Sequence, residues 1–314
     1  MEKQILITGS SGFLGSQICL DLEKQNYKVT AIDFKEPKER LNNVDYIVDD
    51  LNNYIDNIEN FNKYDLIIHG ASILPYKNNE KRIWNINYDL TKKIIDKLNI
   101  SKNVFFVYIS SSAVYGKPKG IPVNENVSLN PLDVYAKSKV ETEKYLQANL
   151  SATNFSIIRP RTILGDNRSG IFDIFFNLIK YRIPLPIPNN GDQKIQFVEV
   201  RDLSKLILHI GLNKISGIWP AAGPDPMSMR NLLNELSKII NRRIVILNIN
   251  PIFFKFIGKI LTSLKITNFT PWHFGAFPYD FYFDNKWIPK GFVYEYTSSD
   301  AFFNTSKEFF DIKK

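Results

Sequence analysis

The chain has 314 residues, of which 44% are hydrophobic and 23% are charged. This length and composition fit one two-lobed globular unit or two modest domains, and they exclude disordered, collagen-like and coiled-coil proteins. No stretch approaches the roughly 20 uninterrupted apolar residues that a membrane span needs, and the first residues lack the apolar core of a signal peptide. We therefore expect a cytosolic protein without a membrane span.

The charge balance is basic, with 40 Lys and Arg against 32 Asp and Glu, a net charge of +8 and an isoelectric point near 9.2. Acidic residues lie between the basic ones, and no Lys/Arg run with interleaved aromatic residues is present, so we expect no nucleic-acid partner. An anionic small molecule needs only a locally positive pocket. The single Cys19 and three scattered histidines lack the spacing of a zinc site, and we expect no structural metal.

The first half of the chain alternates short runs of strand-forming residues with longer helical patterns, which is typical of βαβ units. Strand cores such as Ile-Leu-Ile are apolar at consecutive positions, as expected when helices cover both faces of a parallel sheet. The predicted strands are Gln4–Thr8, Lys28–Asp33, Asp45–Val48, Asp65–His69, Asn103–Ser110 and Asn154–Arg159. The predicted helices are Phe13–Lys24, Asn52–Phe61, Arg82–Leu98 and Val134–Leu150. The pattern predicts an α/β fold with a Rossmann-type, doubly wound parallel sheet.

The second half differs in composition, since ten of the 16 prolines lie from Pro184 onward among aromatic-rich irregular stretches. We predict a Rossmann domain over residues 1–165 and a smaller C-terminal lobe over 166–314, some segments of which return to the first domain. Residues 252–266 form a helical pattern with Lys255 and Lys259 on one face. This face has two interpretations: a contact with a membrane or a partner, or a basic edge that faces solvent. We favour the second.

Three glycines follow the first predicted strand and open a helix. Gly9 permits a tight turn, Gly12 permits close approach of a pyrophosphate, and Gly15 lets helix and strand pack closely, while the helix N-terminus supplies N–H donors. Asp33, at the end of the second strand, completes a dinucleotide-binding fingerprint. A carboxylate there accepts hydrogen bonds from a ribose hydroxyl and repels the additional phosphate of NADP, so NAD is the predicted cofactor.

Tyr135 and Lys139 are four residues apart and therefore lie on one face of their predicted helix. A nearby ammonium favours the tyrosinate and lowers the pKa of the phenol, which makes Tyr135 a candidate general base. Ser111 follows the fifth strand, at the sheet edge where ligands bind in open α/β folds. Its hydroxyl is placed to hydrogen-bond the substrate oxygen that is oxidised or reduced.

These residues resemble the extended short-chain dehydrogenase/reductases, and within them the nucleotide-sugar epimerases and dehydratases. The resemblance covers nearly the whole chain. It is carried by residues 8–15, Asp33, 49–51, 67–72, Asn87, 110–116, 135–139, 158–160, Gly165, 196–203, 283–286 and 291–292.

The resemblance implies roles for individual residues. Ser111, Tyr135 and Lys139 would be catalytic, and His69 is interpreted as a core strand residue. The implied NAD contacts are Gly9, Ser11, Gly12, Phe13, Leu14, Gly15, Asp33, Asp50, Leu51, Ala71, Ser72, Tyr135, Lys139 and Pro160.

Departures from the family pattern narrow the reaction. Family members that dehydrate a 4-keto sugar carry an Asp-Glu pair after the catalytic Ser or Thr, and decarboxylases usually keep the Glu; here these positions are Ser112 and Ala113. Thr162 and Ile195 replace an Asn and an Arg that usually help to hold the nucleotide sugar, so the substrate stays open. We predict an NAD-dependent epimerase acting through a 4-keto intermediate.

Three alternatives to epimerisation remain open: a reductase of a 4-keto-deoxy nucleotide sugar, a dehydratase or decarboxylase, and a non-catalytic NAD-binding regulator. A homodimer is also expected. In the resembling family, two helices of each protomer contact their copies in the partner protomer. One is the helix after the fourth strand, and the other is the helix that carries the Tyr and the Lys. The first of these helices has more apolar positions than one sheet-facing stripe requires. These positions are Ile83, Trp84, Ile86, Tyr88, Leu90 and Ile94.

Overall fold

A computed structural model of the chain describes residues 3–74, 79–101, 103–166, 172–263 and 271–312. The strands are β1 (Gln4–Thr8), β2 (Lys28–Asp33), β3 (Val44–Val48), β4 (Leu66–His69), β5 (Phe105–Ile109), β6 (Phe155–Pro160), β7 (Thr162–Leu164), β8 (Leu185–Pro188), β9 (Lys194–Ile195), β10 (Phe197–Glu199), β11 (Gly217–Ala221), β12 (Met227–Ser228) and β13 (Ile246–Ile249). The helices are α1 (Phe13–Lys24), α2 (Leu51–Asp56), α3 (Glu80–Trp84), α4 (Leu90–Asn99), α5 (Val134–Asn149), α6 (Phe172–Lys180), α7 (Val200–Leu212), α8 (Met229–Ile239), α9 (Pro251–Ser263), α10 (Pro271–Ala276) and α11 (Ser298–Phe309).

The central layer is a seven-stranded sheet in the order β3-β2-β1-β4-β5-β6-β11. All neighbouring strands in it are parallel. The chain runs outward from β1 to β3 and then returns to β4 on the other side of β1. This is the predicted doubly wound sheet, and ligands of such sheets bind at the reversal, beyond the carboxyl ends of β1 and β4.

Two hydrophobic clusters cover the two faces of the sheet. Ile5 and Ile7 of β1 belong to the cluster under α1 and α7, whereas Leu6 belongs to the cluster under α2, α4 and α5. Successive strand residues point to opposite faces, so both faces are buried. This explains why the strand sequences are apolar at consecutive positions.

The predicted bounds of β1, β2 and α1 match the structure, and those of β3, β4, β5, β6 and α5 differ from it by one or two residues at an end. Two further predicted helices differ more. The helix predicted over Arg82–Leu98 begins earlier, at α3, and a wider π-helical turn at Asn85–Asp89 separates α3 from α4. The helix predicted over Asn52–Phe61 ends at Asp56. Phe61 is nevertheless buried, because the following loop holds it in the core, where its N–H donates to Ser101 Oγ over 2.9 Å. Its apolar character therefore reflected burial rather than a helical stripe.

The second half of the chain builds a smaller lobe and also contributes to the central sheet. Short strand pairs β7–β10, β9–β12 and β8–β13 and helices α6, α8 and α11 surround a core rich in phenylalanine. Helix α7 packs against α1, and β11 extends the sheet beyond β6. The division of the chain after residue 165 stays a prediction. Helix α9 overlaps the helix predicted over 252–266, of which 264–266 lie outside the described residues.

Among the residues that the structure describes, no helix has both the length and the apolar character needed to cross a bilayer. The same residues contain no group of three or more His, Cys, Asp or Glu side chains arranged to hold a metal ion.

Candidate active site

The glycine loop joins β1 to α1 and has no room for side chains at two of its glycines. Gly9 has φ +76°, and a Cβ there would lie 2.7 Å from the backbone nitrogen of Ala71, at the end of β4. A Cβ on Gly15 would lie 2.1 Å from Gly9 O. Gly12 precedes α1 and is exposed, and no side chain caps this helix. The loop therefore presents open backbone and an uncapped helix N-terminus, which fits a dinucleotide pyrophosphate.

Asp33 lies at the end of β2, directly beside this loop. Its Oδ2 accepts a hydrogen bond from Ser11 N over 3.0 Å, and its Oδ1 accepts one from Lys35 N over 3.1 Å. The Ser11 hydroxyl in turn donates to Lys35 O over 2.7 Å. These contacts fix the carboxylate while each oxygen keeps a further lone pair for a ribose hydroxyl.

Asp50 and Leu51 lie beyond β3, at the outer end of the same sheet edge. Asp50 is exposed and caps α2, since its Oδ1 accepts from Asn52 N over 2.8 Å. Leu51 is buried in the cluster under α2. Both positions are compatible with the NAD contacts that the family resemblance implies for them, although Asp50 also has this capping role.

The loop after β4 brings Ala71 and Ser72 close to β1 and to the π-helical turn. Ala71 N donates to Thr8 Oγ1 over 3.3 Å, and Ser72 Oγ donates to Asn87 Oδ1 over 3.1 Å. Asn87 is 1% exposed and also bonds both backbone groups of Ile73, at 2.9 Å and 3.0 Å. The buried amide thereby holds in place the loop of Ala71 and Ser72, two residues for which the family resemblance implies contacts with NAD.

Ser111 follows β5 and begins a 3-10 turn over Ser112–Tyr115. Its Oγ accepts a hydrogen bond from Ala113 N over 3.1 Å. Among the described residues no acceptor takes the proton of this half-buried hydroxyl. Ser111 can therefore donate to a substrate oxygen, whereas Ser112 is buried, at 3% exposed.

Tyr135 and Lys139 lie on α5, whose first turn is fixed by the Asp133 carboxylate accepting from Ala136 N over 2.8 Å. Tyr135 is half-buried, whereas Lys139 is 2% exposed. The Lys139 ammonium donates to Ile109 O over 2.9 Å and lies 5.9 Å from the centre of the Tyr135 ring. Burial lowers the pKa of Lys139 to about 7, and the charge of Glu143 acts in the opposite direction.

A buried ion pair lies next to these residues, and its acid, Glu143, has no role predicted from the sequence. Glu143 accepts from Arg159 Nη2 over 2.5 Å and from Arg159 Nε over 3.1 Å. Ser110 Oγ also donates to Glu143, and Arg159 Nη1 donates to the Tyr115 hydroxyl over 2.6 Å. The sequence signal was that Glu143 follows Lys139 by one helical turn and therefore shares its face of α5.

His69 is fully enclosed between β1, α4 and the neighbouring strands. Its Nδ1 and Nε2 lie 2.6 Å and 2.9 Å from the hydroxyls of Thr8 and Thr91. Burial lowers the pKa of His69 to about 3, so the ring is neutral at ordinary pH. These contacts agree with the interpretation of His69 as a core residue.

The predicted site residues gather along the carboxyl edge of the parallel sheet. The group near the β1–β4 reversal contains the glycine loop, Asp33 and the β4 loop, and the group beyond β5 contains the predicted catalytic residues. Pro160 ends β6 and is buried beside Ala221 of β11. Leu14 packs against the core under α1, as part of the first turn that Phe13 begins. The assignments of the individual residues stay predictions.

Comparison with known proteins agrees with this arrangement. The family model for the NAD dependent epimerase/dehydratase family matches residues 5–218. A protein of Sinorhizobium fredii, y4nG, is 26% identical over 309 residues, which are 96% of this chain and 78% of that protein. A putative UDP-glucose 4-epimerase of Methanocaldococcus jannaschii is 32% identical over 223 residues, covering 64% of this chain and 71% of that protein.

Among solved structures, the UDP-glucuronic acid 4-epimerase of Bacillus cereus in complex with NAD has a TM-score of 0.74 at 19% identity. The match covers 99% of this chain and 100% of that one. The comparison confirms the predicted fold class, and the family match confirms the resemblance drawn from the motifs and the choice of NAD as cofactor.

Proposed function

Because this chain belongs to the NAD dependent epimerase/dehydratase family, we propose that it epimerises a nucleotide-activated sugar at C4 through a transient 4-keto intermediate. The observation that carries the proposal is the placement of Lys139. Its buried ammonium lies between the end of β5, which leads to Ser111, and the ring of Tyr135. A phenol needs a neighbouring positive charge to act as a base near neutral pH.

The residues present fit NAD. The glycine loop and the uncapped N-terminus of α1 would hold the pyrophosphate, Asp33 the adenosine ribose, and the clamped loop after β4 the nicotinamide side. When bound, NAD⁺ supplies a hydride acceptor for the sugar carbon and later returns the hydride.

The chain's own residues move the proton. Tyr135 accepts the proton of the C4 hydroxyl, and Lys139 stabilises the tyrosinate that this requires. Ser111 donates a hydrogen bond to the same oxygen, holding it toward Tyr135. After the keto sugar has turned in the site, Tyr135 returns the proton to the oxygen of the opposite stereoisomer.

The surroundings of Ser111 support epimerisation over loss of water. Elimination requires an additional acid and base next to the catalytic serine, and the residues there are Ser112 and Ala113, which are 3% and 4% exposed. Neither side chain is acidic, and both are packed in the protein. The two relatives above that are named as 4-epimerases are consistent with the same reaction.

The test is incubation of the purified protein with NAD⁺ and a panel of UDP-, GDP-, CDP- and dTDP-sugars. We expect inversion at C4 for at least one sugar, detected by NMR, with no net accumulation of NADH in the absorbance record. Stoichiometric consumption of NADH by a 4-keto-deoxy nucleotide sugar, without inversion of any sugar, would instead identify a reductase.

A further inference from the structure

Two buried arginines lie at the end of β6 and differ in their partners. Arg159 is paired with the carboxylate of Glu143 and also donates to Tyr115. Arg161 is 8% exposed, yet it forms no ion pair with a carboxylate among the described residues. A buried charge is costly unless it is paired, so Arg161 lacks a counter-charge that Arg159 has.

The contacts of Arg161 are neutral and leave donors unused. Its Nε donates to Gln196 O over 3.3 Å, and its Nη1 lies 3.4 Å from Ser112 Oγ. Its guanidinium lies 3.8 Å from the centre of the Phe281 ring. Within the described part of the chain Nη2 has no hydrogen bond, although the guanidinium fork suits two parallel bonds to a carboxylate. Burial lowers the pKa of Arg161 to about 9, in agreement with an uncompensated charge.

We propose that Arg161 binds a carboxylate carried by the sugar of the substrate, on the side of the ring next to C4. The proposal rests on the proposed function, because it uses Ser111 to locate C4. Arg161 contacts Ser112, the residue that follows Ser111. It therefore lies at the reacting end of the sugar, near the C6 substituent.

The diphosphate is a second possible source of negative charge. It is attached at C1, across the ring from C4, and it therefore lies away from the reacting end that Ser111 marks. The position of Arg161 beside the serine turn therefore favours an acidic sugar of the uronic acid type over a neutral hexose. Phe281 and Gln196 would set the plane of the guanidinium, because one lies over its face and the other accepts at its edge.

The experiment measures binding without turnover. Tyr135→Phe protein saturated with NAD⁺ is titrated calorimetrically with UDP-glucuronic acid and with UDP-glucose, and the titrations are repeated with Arg161→Gln added. We expect Arg161→Gln to weaken the binding of UDP-glucuronic acid by about 10- to 100-fold, the usual effect of losing a charge-assisted hydrogen-bonded pair. The binding of UDP-glucose should stay nearly unchanged. Arg243→Gln, at an exposed position of the second lobe, alters the net charge equally and should affect neither.

Two results would overturn the proposal. An equal loss for both sugars would place Arg161 at the shared diphosphate, and no loss for either would make it a packing residue. Folding is checked separately: without ligand, Arg161→Gln should keep or raise the melting temperature, because it removes an unpaired buried charge, whereas Arg159→Gln should lower it. Failure of the proposed epimerase activity would appear as an absence of C4 inversion in the unsubstituted protein and would leave this binding comparison valid.

Discussion

At Asp33 a single carboxylate bonds two backbone amides of the loops that it joins, at 3.0 Å and 3.1 Å. We expect Asp33→Ala to weaken the binding of NAD by about 10- to 100-fold, because hydrogen bonds to a charged acceptor are lost. The binding of NADP should be weakened less. Equilibrium binding of both cofactors gives the answer. Asp56→Ala removes the same charge from an exposed ion pair and serves as the control. Equal losses for NAD and NADP would contradict the role of Asp33.

The phenol of Tyr135 is the predicted proton acceptor. Tyr135→Phe keeps the ring and its packing but removes the exchangeable proton, so turnover should fall by about 10²- to 10⁴-fold while NAD affinity stays nearly constant. Single-turnover kinetics and calorimetry separate the two quantities. A near-normal rate would refute the assignment.

The neighbouring serines provide the matched pair for this experiment. Ser111→Ala should slow the same step, and Ser112→Ala should be milder, since Ser112 is buried and the Ser111 hydroxyl proton has no acceptor among the described residues. A larger defect in Ser112→Ala than in Ser111→Ala would assign the hydrogen bond to the substrate oxygen to Ser112.

The buried ammonium of Lys139 should make stability depend on pH. Its pKa falls from 10.5 to about 7 on folding because of burial. Between these two values the unfolded chain binds a proton that the folded chain has released, so raising the pH stabilises the protein, and lowering it toward 7 removes that stability. In urea denaturation without NAD, the stability of the wild type relative to Lys139→Met should rise with pH across this interval. Parallel stability curves for the two proteins would show that the shift is absent.

Among the elements, α5 is tied to the sheet by the ion pair of Glu143 with Arg159. Glu143→Gln leaves the guanidinium buried without its counter-charge and should lower the free energy of unfolding by about 3 to 5 kcal/mol. Glu141→Gln is the control on the same helix, because its pair with Lys144 is exposed and should contribute about 0 to 1 kcal/mol. Urea denaturation measures both variants. Equal effects would mean that the buried pair is not what holds α5.

The π-helical turn between α3 and α4 is stabilised by contacts with neighbouring segments of the chain. The Asn87 side chain bonds the backbone of Ile73, and the backbone oxygen of Asn87 accepts from the hydroxyls of Thr91 and Thr142, each over 3.0 Å. The sequence predicts an uninterrupted helix here because the apolar spacing continues through the turn. Only the contacts with the β4 loop and α5 require the wider turn.

For the whole molecule we expect a homodimer built on α3, α4 and α5. Ile94 is buried in the cluster that covers the sheet and Ile83 is also buried, whereas Trp84, Ile86 and Tyr88 are only half-buried. A second copy would cover this face. Light scattering at micromolar concentrations should give twice the chain mass, and Ile86→Glu should shift the protein toward the monomer. A monomeric mass for the unsubstituted protein would remove the prediction.

The sequence by itself determined the features that depend on neighbouring residues. The bounds of β1, β2 and α1, the glycine loop and the spacing of Tyr135 and Lys139 all follow from local patterns: strand alternation, helical periodicity and the conformational freedom of glycine. The doubly wound sheet, in which the strand order reverses after β3, also followed from the alternating strand and helix patterns.

Only the tertiary structure decided which charges are compensated. Arg159 and Arg161 are two residues apart and chemically identical, yet one meets Glu143 from α5 and the other meets a carbonyl, a hydroxyl and an aromatic ring. The sequence predicted that some later segments return to the first layer, but only the structure shows that these are α7 and β11. Each depends on contacts between segments far apart in the chain, and no local pattern contains the partner that a buried polar group will meet.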